Sequence, residues 1–304
     1  MPEKIKFLTL PAFCLALALL VAASDASAQD ALAGEWRASL DSDKQDKIHL
    51  TFERRNKDGG RNQMGQSYDF SDLQGLSRSQ AAAGGAVKFS MAREAGRIDC
   101  EGSFQNGKGS GAFRFTPNAG FVAAMKSRGF DFEQDSSKKK GNGPDLEERL
   151  FAATTLNVTT ALADDLLSAD FGKLDTEDLF KAAIFKVDSK FMREMKESGF
   201  PGMGMEELVK ARIFKIDADY VRQVAQMGFT GEGFESLVKM RIFKVTPEFI
   251  SEARGEGLTN LSVEQLVKMR IFNIDTDFIR RARAEGVPLD VEKLVQKRIG
   301  VYSR

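Results

Sequence analysis

Residues 237–250 read LVKMRIFKVTPEFI, and the same pattern stands 29 positions earlier and 29 positions later, at residues 208–221 and 266–279. Related units occur six times between Leu150 and Val301, and the last is one or two residues shorter. A fixed period of roughly 20 to 50 residues is typical of stacked arrays of small units. One apolar residue closes each unit and opens the next: Val158, Val187, Ile216, Val245, Ile274 and Val301.

The first half of each unit carries the start and stop signals of a helix of about ten residues. A short oxygen-bearing side chain, which can accept a hydrogen bond from a free amide at the helix start, follows the opening residue. These predicted N-caps are Thr159, Asp188, Asp217, Thr246 and Asp275. Glycines that can take the left-handed conformation end the helix, at Gly199, Gly228, Gly257 and Gly286.

The second half of each unit predicts another short helix. Its candidate N-caps are Asp175, Gly204, Gly233, Ser262 and Asp290, each followed two residues later by a glutamate that complements the helix dipole. Recurring leucines and isoleucines predict one apolar stripe along this helix, packed against the core. Its members are Leu208, Leu237, Leu266 and Leu294, with Ile213, Ile242, Ile271 and Ile299.

Helices of about ten residues are too short to persist alone in water, so neighbouring units have to pack against each other. We therefore expect an α+β chain in which a small N-terminal antiparallel β domain (29–117) precedes an α-helical solenoid of about six 29-residue helix-turn-helix repeats (150–304). Between them, residues 118–149 predict an orphan first helix and a solvated loop.

The β domain is predicted from apolar residues that alternate with polar ones. The alternating sets are Trp36, Ala38 and Leu40; Ile48, Leu50 and Phe52; Val87, Phe89 and Met91; and Ile98, Cys100 and Phe104. Asn106-Gly107 predicts a tight hairpin before the final strand. Gly34-x-Trp36 is similar to the first strand of lipocalin barrels, which leaves open a small apolar ligand; the alternative is a tryptophan that plugs a small sheet.

The amino terminus predicts export. Lys4 and Lys6 precede an apolar run from Phe7 to Val21, and Ala26-Ser27-Ala28 forms a small-x-small cleavage site. We interpret residues 1–28 as a signal peptide, with Gln29 as the mature start and a periplasmic or extracellular destination. A retained membrane anchor is the alternative. After cleavage we expect no integral membrane span.

Charge and residue types argue against catalysis. The 44 basic residues balance the 44 acidic ones, so the overall charge does not favour nucleic acid as a partner. His49, the only histidine, is expected on the outward face of a strand and cannot build a zinc site alone. Cys100 is expected to be inward and inert. We predict no enzymatic activity, no metal and no cofactor.

One recurring feature could bind a partner. We name it the cationic ladder: Arg212, Arg241, Arg270 and Arg298, with Lys210, Lys239 and Lys268. Stacked units would align these side chains about 10 Å apart, where they could bind an acidic protein or another acidic cell-envelope component. Alternatively, each arginine pairs with an acidic cap at the following boundary, such as Asp217 or Asp275, and joins the units. We expect Phe214, Phe243 and Phe272 either to be buried in the core or to form a rim beside the cationic ladder.

The segments 93–96 (REAG), 111–117 (GAFRFTP), 245–250 (VTPEFI) and 266–271 (LVKMRI) resemble an uncharacterised bacterial repeat module. That module occurs in extracytoplasmic proteins and is appended to membrane metallopeptidases of the BlaR/MecR antirepressor type. The resemblance covers the chain from about Tyr68 to its end and implies location and modular use. The peptidase's zinc motif and multiple spans are not in this sequence, so the resemblance does not imply proteolysis.

Together these features predict an exported protein-interaction, sensor or scaffold module of the cell envelope, which binds a macromolecular partner through its helical surface. The alternative is a small-ligand-binding protein that uses the β domain.

Overall fold

The computed structural model describes residues 32–41, 43–55, 61–134, 144–169 and 172–303. The predicted signal peptide (1–28), the mature start at Gln29 and residues 135–143 of the predicted solvated loop lie outside these residues. The chain divides into two compact units. The first comprises residues up to 92 and 98–116, and the second comprises residues 93–97 and 117–304. The α+β prediction is confirmed, because a six-stranded antiparallel sheet precedes a series of helices.

The sheet consists of two consecutive three-stranded meanders whose first and last strands pair. Its strands are β1 (Ala33–Leu40), β2 (Lys47–Arg55), β3 (Arg61–Asp69), β4 (Gly85–Arg93), β5 (Gly96–Gln105) and β6 (Lys108–Pro117). The spatial order is β3-β2-β1-β6-β5-β4. A short 3-10 helix (Phe70–Asp72) and α1 (Arg78–Ala83) connect the two meanders. Neither β3 nor α1 was predicted from the sequence.

Trp36 organises the core of the sheet, as the plug interpretation expected. It is fully buried, and its ring centroid lies 5.1 Å from that of Phe89 and 5.7 Å from that of Phe104. Its indole Nε1 donates a hydrogen bond to the Glu101 carbonyl oxygen, 3.2 Å away. Because Trp36 on β1 reaches Phe89 on β4, three strands away in the spatial order, the sheet curves around the indole ring.

Two glycines allow β5 and β6 to approach closely beneath the indole. A Cβ atom on Gly111 would overlap the Glu101 carbonyl oxygen and come within 2.6 Å of the Gly102 Cα. A Cβ on Gly102 would stand 2.7 Å from the Trp36 ring. The predicted hairpin is confirmed: Asn106 (φ 51°) and Gly107 (φ 72°) form the two-residue turn between these strands.

The second unit contains twelve helices among the described residues. They are α2 (Ala119–Lys126), α3 (Leu146–Leu156), α4 (Thr160–Leu167), α5 (Thr176–Phe185), α6 (Ser189–Glu197), α7 (Met205–Ile213), α8 (Ala218–Gln226), α9 (Phe234–Ile242), α10 (Pro247–Gly255), α11 (Val263–Ile271), α12 (Thr276–Ala284) and α13 (Val291–Arg298). Helix α2 matches the orphan helix expected after residue 118. Helix α3 begins at Leu146, within the segment assigned to the solvated loop, because Asp145 and Glu148 form a capping box.

The predicted helix caps are confirmed. The side chains of the first-helix caps, from Thr159 to Asp275, each accept a hydrogen bond from the amide three residues later. Gly199, Gly228, Gly257 and Gly286 have φ between 82° and 101°, so each ends its helix in the left-handed conformation. Second helices contact those of neighbouring units, in the pairs α3–α5, α5–α7, α9–α11 and α11–α13.

The predicted apolar stripe is confirmed for its leucines and wrong for its isoleucines. Leu208, Leu237, Leu266 and Leu294 are buried, whereas Ile213, Ile242, Ile271 and Ile299 are about half exposed. Helical geometry explains the difference in α9, where Leu237, Val238 and Met240 are buried. At about 100° per residue, these three span an arc from about −60° to 100° around Leu237, and Ile242 falls outside it at about 140°.

Replacing Gly111 with alanine is expected to lower the free energy of unfolding by at least about 2 kcal/mol, because the new Cβ meets backbone atoms that cannot move aside. Gly202→Ala is the control, since nothing lies within 4 Å of its Cβ position. The control should change stability by no more than about 0.5 kcal/mol. Denaturant unfolding measures both; equal stability of the two variants would contradict the close approach of β5 and β6.

Candidate interaction surface

The arginines of the cationic ladder stack on aromatic rings within the chain. In each case the guanidinium lies over the aromatic residue of its own unit's first helix. The distances from Cζ to the ring centroid are 3.8 Å for Arg212 over Phe191, 3.6 Å for Arg241 over Tyr220, 4.3 Å for Arg270 over Phe249 and 4.8 Å for Arg298 over Phe278. Such cation–π contacts contribute about 0.5 to 2 kcal/mol each.

Three of these arginines also donate to a carbonyl oxygen at the end of the preceding unit. Arg241 Nη2 lies 2.9 Å from the Lys215 oxygen, and Arg270 Nε lies 2.9 Å from the Lys244 oxygen. Arg298 Nε lies 3.0 Å from the Phe272 oxygen. A cation at this place complements the negative end of the helix dipole. Each of these guanidinium groups therefore joins its own first helix to the previous unit's second helix.

The prediction that acidic caps at the following boundary pair with the arginines was wrong for Asp217 and Asp275. Neither carboxylate forms an ion pair with the arginine before it. Each accepts a hydrogen bond from a backbone amide of its own helix, that of Tyr220 or Phe278. Arg212 approaches an acidic cap, Asp188, at 3.8 Å, but this cap begins its own unit. Arg241, Arg270 and Arg298 instead donate to the carbonyl oxygens at the end of the preceding unit.

An arginine from outside the repeats makes a similar contact where one unit lacks its own arginine. The unit that opens at Val158 has Ala183 at the arginine position and Leu162 at the aromatic position. Arg93, in the segment 93–97 of the same compact unit, donates instead to the Thr154 and Thr155 carbonyl oxygens at 2.9 Å each. The sequence analysis missed this residue. A signal in the sequence was available, because the unit that opens at Val158 lacks both the arginine and the aromatic residue.

Two lysines of the cationic ladder form ion pairs between successive second helices. Lys210 lies 2.6 Å from Glu235, and Lys268 pairs with Glu292. Lys181, one unit before Lys210, makes the equivalent contact with a glutamate of α7. Lys239 is exposed and has no ion pair among the residues that the structure describes. Most charges of the ladder thus already have partners within the chain.

Tyr220 differs from the phenylalanines at the same position in neighbouring units. It is buried, and within the described ranges its hydroxyl has no hydrogen-bond partner. Burial raises the pKa of its phenol above the ordinary value, although the Arg241 charge opposes the shift. The phenol therefore stays neutral, and its hydroxyl adds a desolvation cost without a matching bond.

A set of exposed isoleucines occupies one equivalent position, at or near the end of successive second helices. We call it the isoleucine row: Ile184, Ile213, Ile242, Ile271 and Ile299, each exposed by between 49% and 54%. The adjacent phenylalanines at 185, 214, 243 and 272 are half-buried. Only three other large apolar side chains among the described residues, at positions 167, 289 and 301, are exposed. One structural position therefore accounts for most of the exposed large apolar residues.

A strained lysine follows the isoleucine and phenylalanine in three units. We call Lys186, Lys215 and Lys244 the turn lysines; their φ angles are 59°, 53° and 52°. This left-handed conformation costs a residue with a Cβ about 1 to 2 kcal/mol relative to glycine. All three are exposed, and no ion pair involves them in the part of the chain that the structure describes.

Other candidate sites offer less. Burial raises the pKa of the Cys100 thiol far above its ordinary value, and His49 is exposed on the outward face of β2. A cleft of about 130 Å³ beside Gly199 and Phe200 is small compared with typical ligand pockets of about 300 to 1,000 Å³. Among the described residues, no group of three or more metal-ligating side chains occurs, and none of the helices is both long and apolar enough to cross a membrane.

No family model matches this chain, and neither a curated protein nor a solved structure matches it significantly. The resemblance to the bacterial extracytoplasmic repeat module therefore stays a prediction.

Arg241→Met is expected to lower the free energy of unfolding by about 1 to 3 kcal/mol, because methionine keeps the apolar stem but loses the cation–π contact and the bond to the Lys215 oxygen. The control is Arg222→Met, since Arg222 pairs with Asp219 on its own helix. Thermal or urea unfolding measures both. If Arg241→Met unfolds like its control, the arginine does not join the units.

Tyr220→Phe is expected to raise the free energy of unfolding by about 1 kcal/mol, because it removes a buried hydroxyl that has no partner. The reverse change, Phe249→Tyr, places a hydroxyl at the same position of the next unit and should lower stability. Denaturant titration of the two variants tests the pair; a loss of stability in Tyr220→Phe would mean that the hydroxyl is satisfied.

Proposed function

We propose that this chain is an exported interaction protein of the cell envelope, whose helical unit is a solenoid of about six 29-residue helix-turn-helix repeats. In this proposal the solenoid binds a macromolecular partner and acts as a scaffold or sensor rather than as an enzyme. The regular caps, the glycine turns and the contacts between successive second helices support the repeat architecture. A stack of this kind presents one continuous surface made of equivalent positions.

The isoleucine row is the observation that carries the proposal. Single exposed apolar side chains are common on protein surfaces, whereas contiguous apolar patches mark interaction sites. Here the same position is exposed in five successive second helices. Full burial of an isoleucine contributes about 1.5 to 3 kcal/mol, so covering the exposed halves of five would contribute on the order of 5 kcal/mol. This amount favours a partner that contacts several units at once.

The contacts of the cationic ladder favour the joining role that the sequence analysis left open. The arginines are engaged by rings and carbonyls, and two of the lysines by glutamates. A partner that took these groups would have to break contacts between units. The acidic partner expected for the ladder is therefore better placed beside the isoleucine row, where the turn lysines are free of ion pairs among the described residues.

The alternative function, a small ligand inside the β domain, receives no support from the described core. Within the sheet, the Trp36 ring contacts those of Phe89 and Phe104, and the Phe52 ring contacts that of Phe113. Their centroids lie 5.1 to 5.7 Å apart, as in packed aromatic cores, so the rings occupy the space that a ligand would need.

Site-specific photo-crosslinking in cells that produce the protein tests the proposed function. A photoreactive residue at position 242, in the isoleucine row, is expected to give a discrete adduct in the envelope fraction. The matched control is position 289, where an apolar residue is also exposed but lies outside the row. Absence of adducts at position 242, or equal adducts at both positions, would refute binding through this surface. Intact mass of the exported protein tests the start at Gln29.

A further inference from the structure

We propose that the isoleucine row and the turn lysines together bind an acidic amphipathic helix of a partner protein. We call this surface the isoleucine–lysine ridge: Ile184, Ile213, Ile242, Ile271 and Ile299, with Lys186, Lys215 and Lys244. The inference rests on the proposed function, because it specifies the chemistry of the partner that the helical surface would bind.

Charge identifies one property of the partner. Each turn lysine stands two residues after an exposed isoleucine, and none has an ion pair among the described residues. The nearest acidic residues along the chain, such as Asp188 and Asp217, already accept hydrogen bonds from their own helices. At three of its five isoleucines, Ile184, Ile213 and Ile242, the ridge therefore pairs an apolar side chain with an available positive charge. Its complement is a surface on which apolar residues alternate with carboxylates.

Backbone strain indicates that the lysine side chains have a use. The chain places glycine in the left-handed conformation at the end of the first helices, for example at Gly228 and Gly257. At the end of the second helices it places lysine in three units, but asparagine at Asn157 and Asn273 and glycine at Gly300. Glycine would adopt this conformation without the Cβ clash. Lysines held in a costly conformation, exposed and without an ionic partner among the described residues, are the kind of backbone outlier that points to a functional site.

Dimensions identify the shape of the partner. Packed helices lie about 8 to 10 Å apart, so the proposed stacking of second helices would place consecutive isoleucines of the row about that far apart. An α-helix rises about 10.5 Å in seven residues, so apolar residues on one face can meet successive isoleucines. The row is one side chain wide, and five half-exposed isoleucines provide less than the roughly 800 Å² per partner that a standard interface buries. A single helix fits this surface better than a second copy of the chain.

Fluorescence anisotropy of the full exported chain with synthetic peptides tests the proposal. The probe is a helical peptide of about 28 residues with leucines along one face and glutamates elsewhere, and the control peptide has the same composition in scrambled order. We expect the helical peptide to bind at least about tenfold more tightly than the scrambled one, with affinity that falls as salt rises.

Variants of the ridge separate its two components. Ile242→Ser with Ile271→Ser should weaken binding by about tenfold or more, whereas Leu289→Ser, which changes an exposed leucine outside the ridge, should weaken it less than about twofold. Lys215→Gly with Lys244→Gly should weaken binding and flatten its salt dependence, yet raise the unfolding temperature because the strain is relieved. A purely structural role predicts the stability change without the loss of binding.

Three results would overturn the inference: equal binding of the helical and scrambled peptides, ridge variants that bind like the unmodified chain, or ridge-dependent binding to phosphatidylglycerol vesicles in place of the peptide. If peptide binding fails while crosslinks form at position 242, the partner chemistry is wrong and the proposed function stands. If both fail, the proposed function falls as well.

Discussion

The helical unit depends on contacts made by one arginine of each repeat. This arginine lies over an aromatic ring of its own unit and donates a hydrogen bond to a carbonyl oxygen of the unit before it. Arg241 makes both contacts, with Tyr220 and with the Lys215 oxygen. Short helices gain little stability alone, so the free energy that orders them has to come from such contacts between units. The same requirement explains Arg93. It donates to carbonyl oxygens at the end of α3, because the following unit has Ala183 at the position of the arginine.

This contact also separates two roles that we propose for the second helix. The arginine lies at the centre of the arc that the buried residues define, and its guanidinium meets a ring and a helix end, although part of the side chain is exposed. The isoleucine that follows it is rotated by about 100°, away from the core. In the proposed function, Arg241 joins the units and Ile242, the next residue, contacts the partner; both side chains are partly exposed.

Local signals predicted much of the fold, and longer-range geometry accounts for what they missed. Helix caps, glycine turns and the Asn106-Gly107 hairpin depend on the conformation of one or two residues, so they can be identified from sequence. Strand β3 escaped prediction because this edge strand is largely polar and has few apolar residues to alternate. The exposed face of Ile242 could have been derived from a helical wheel. The partner of Arg241 could not, because it lies 26 residues away on another helix.

Deletion in and out of register tests most directly whether the units depend on one another. Removing residues 216–244, one period of 29, brings Arg270 into register with the Lys215 carbonyl, so we expect a shorter chain that still unfolds in one cooperative transition with urea. Removing residues 216–229, about half a period, should abolish that transition because the ring, the guanidinium and the helix end no longer meet. Equal unfolding behaviour of the two deletion variants would contradict the account.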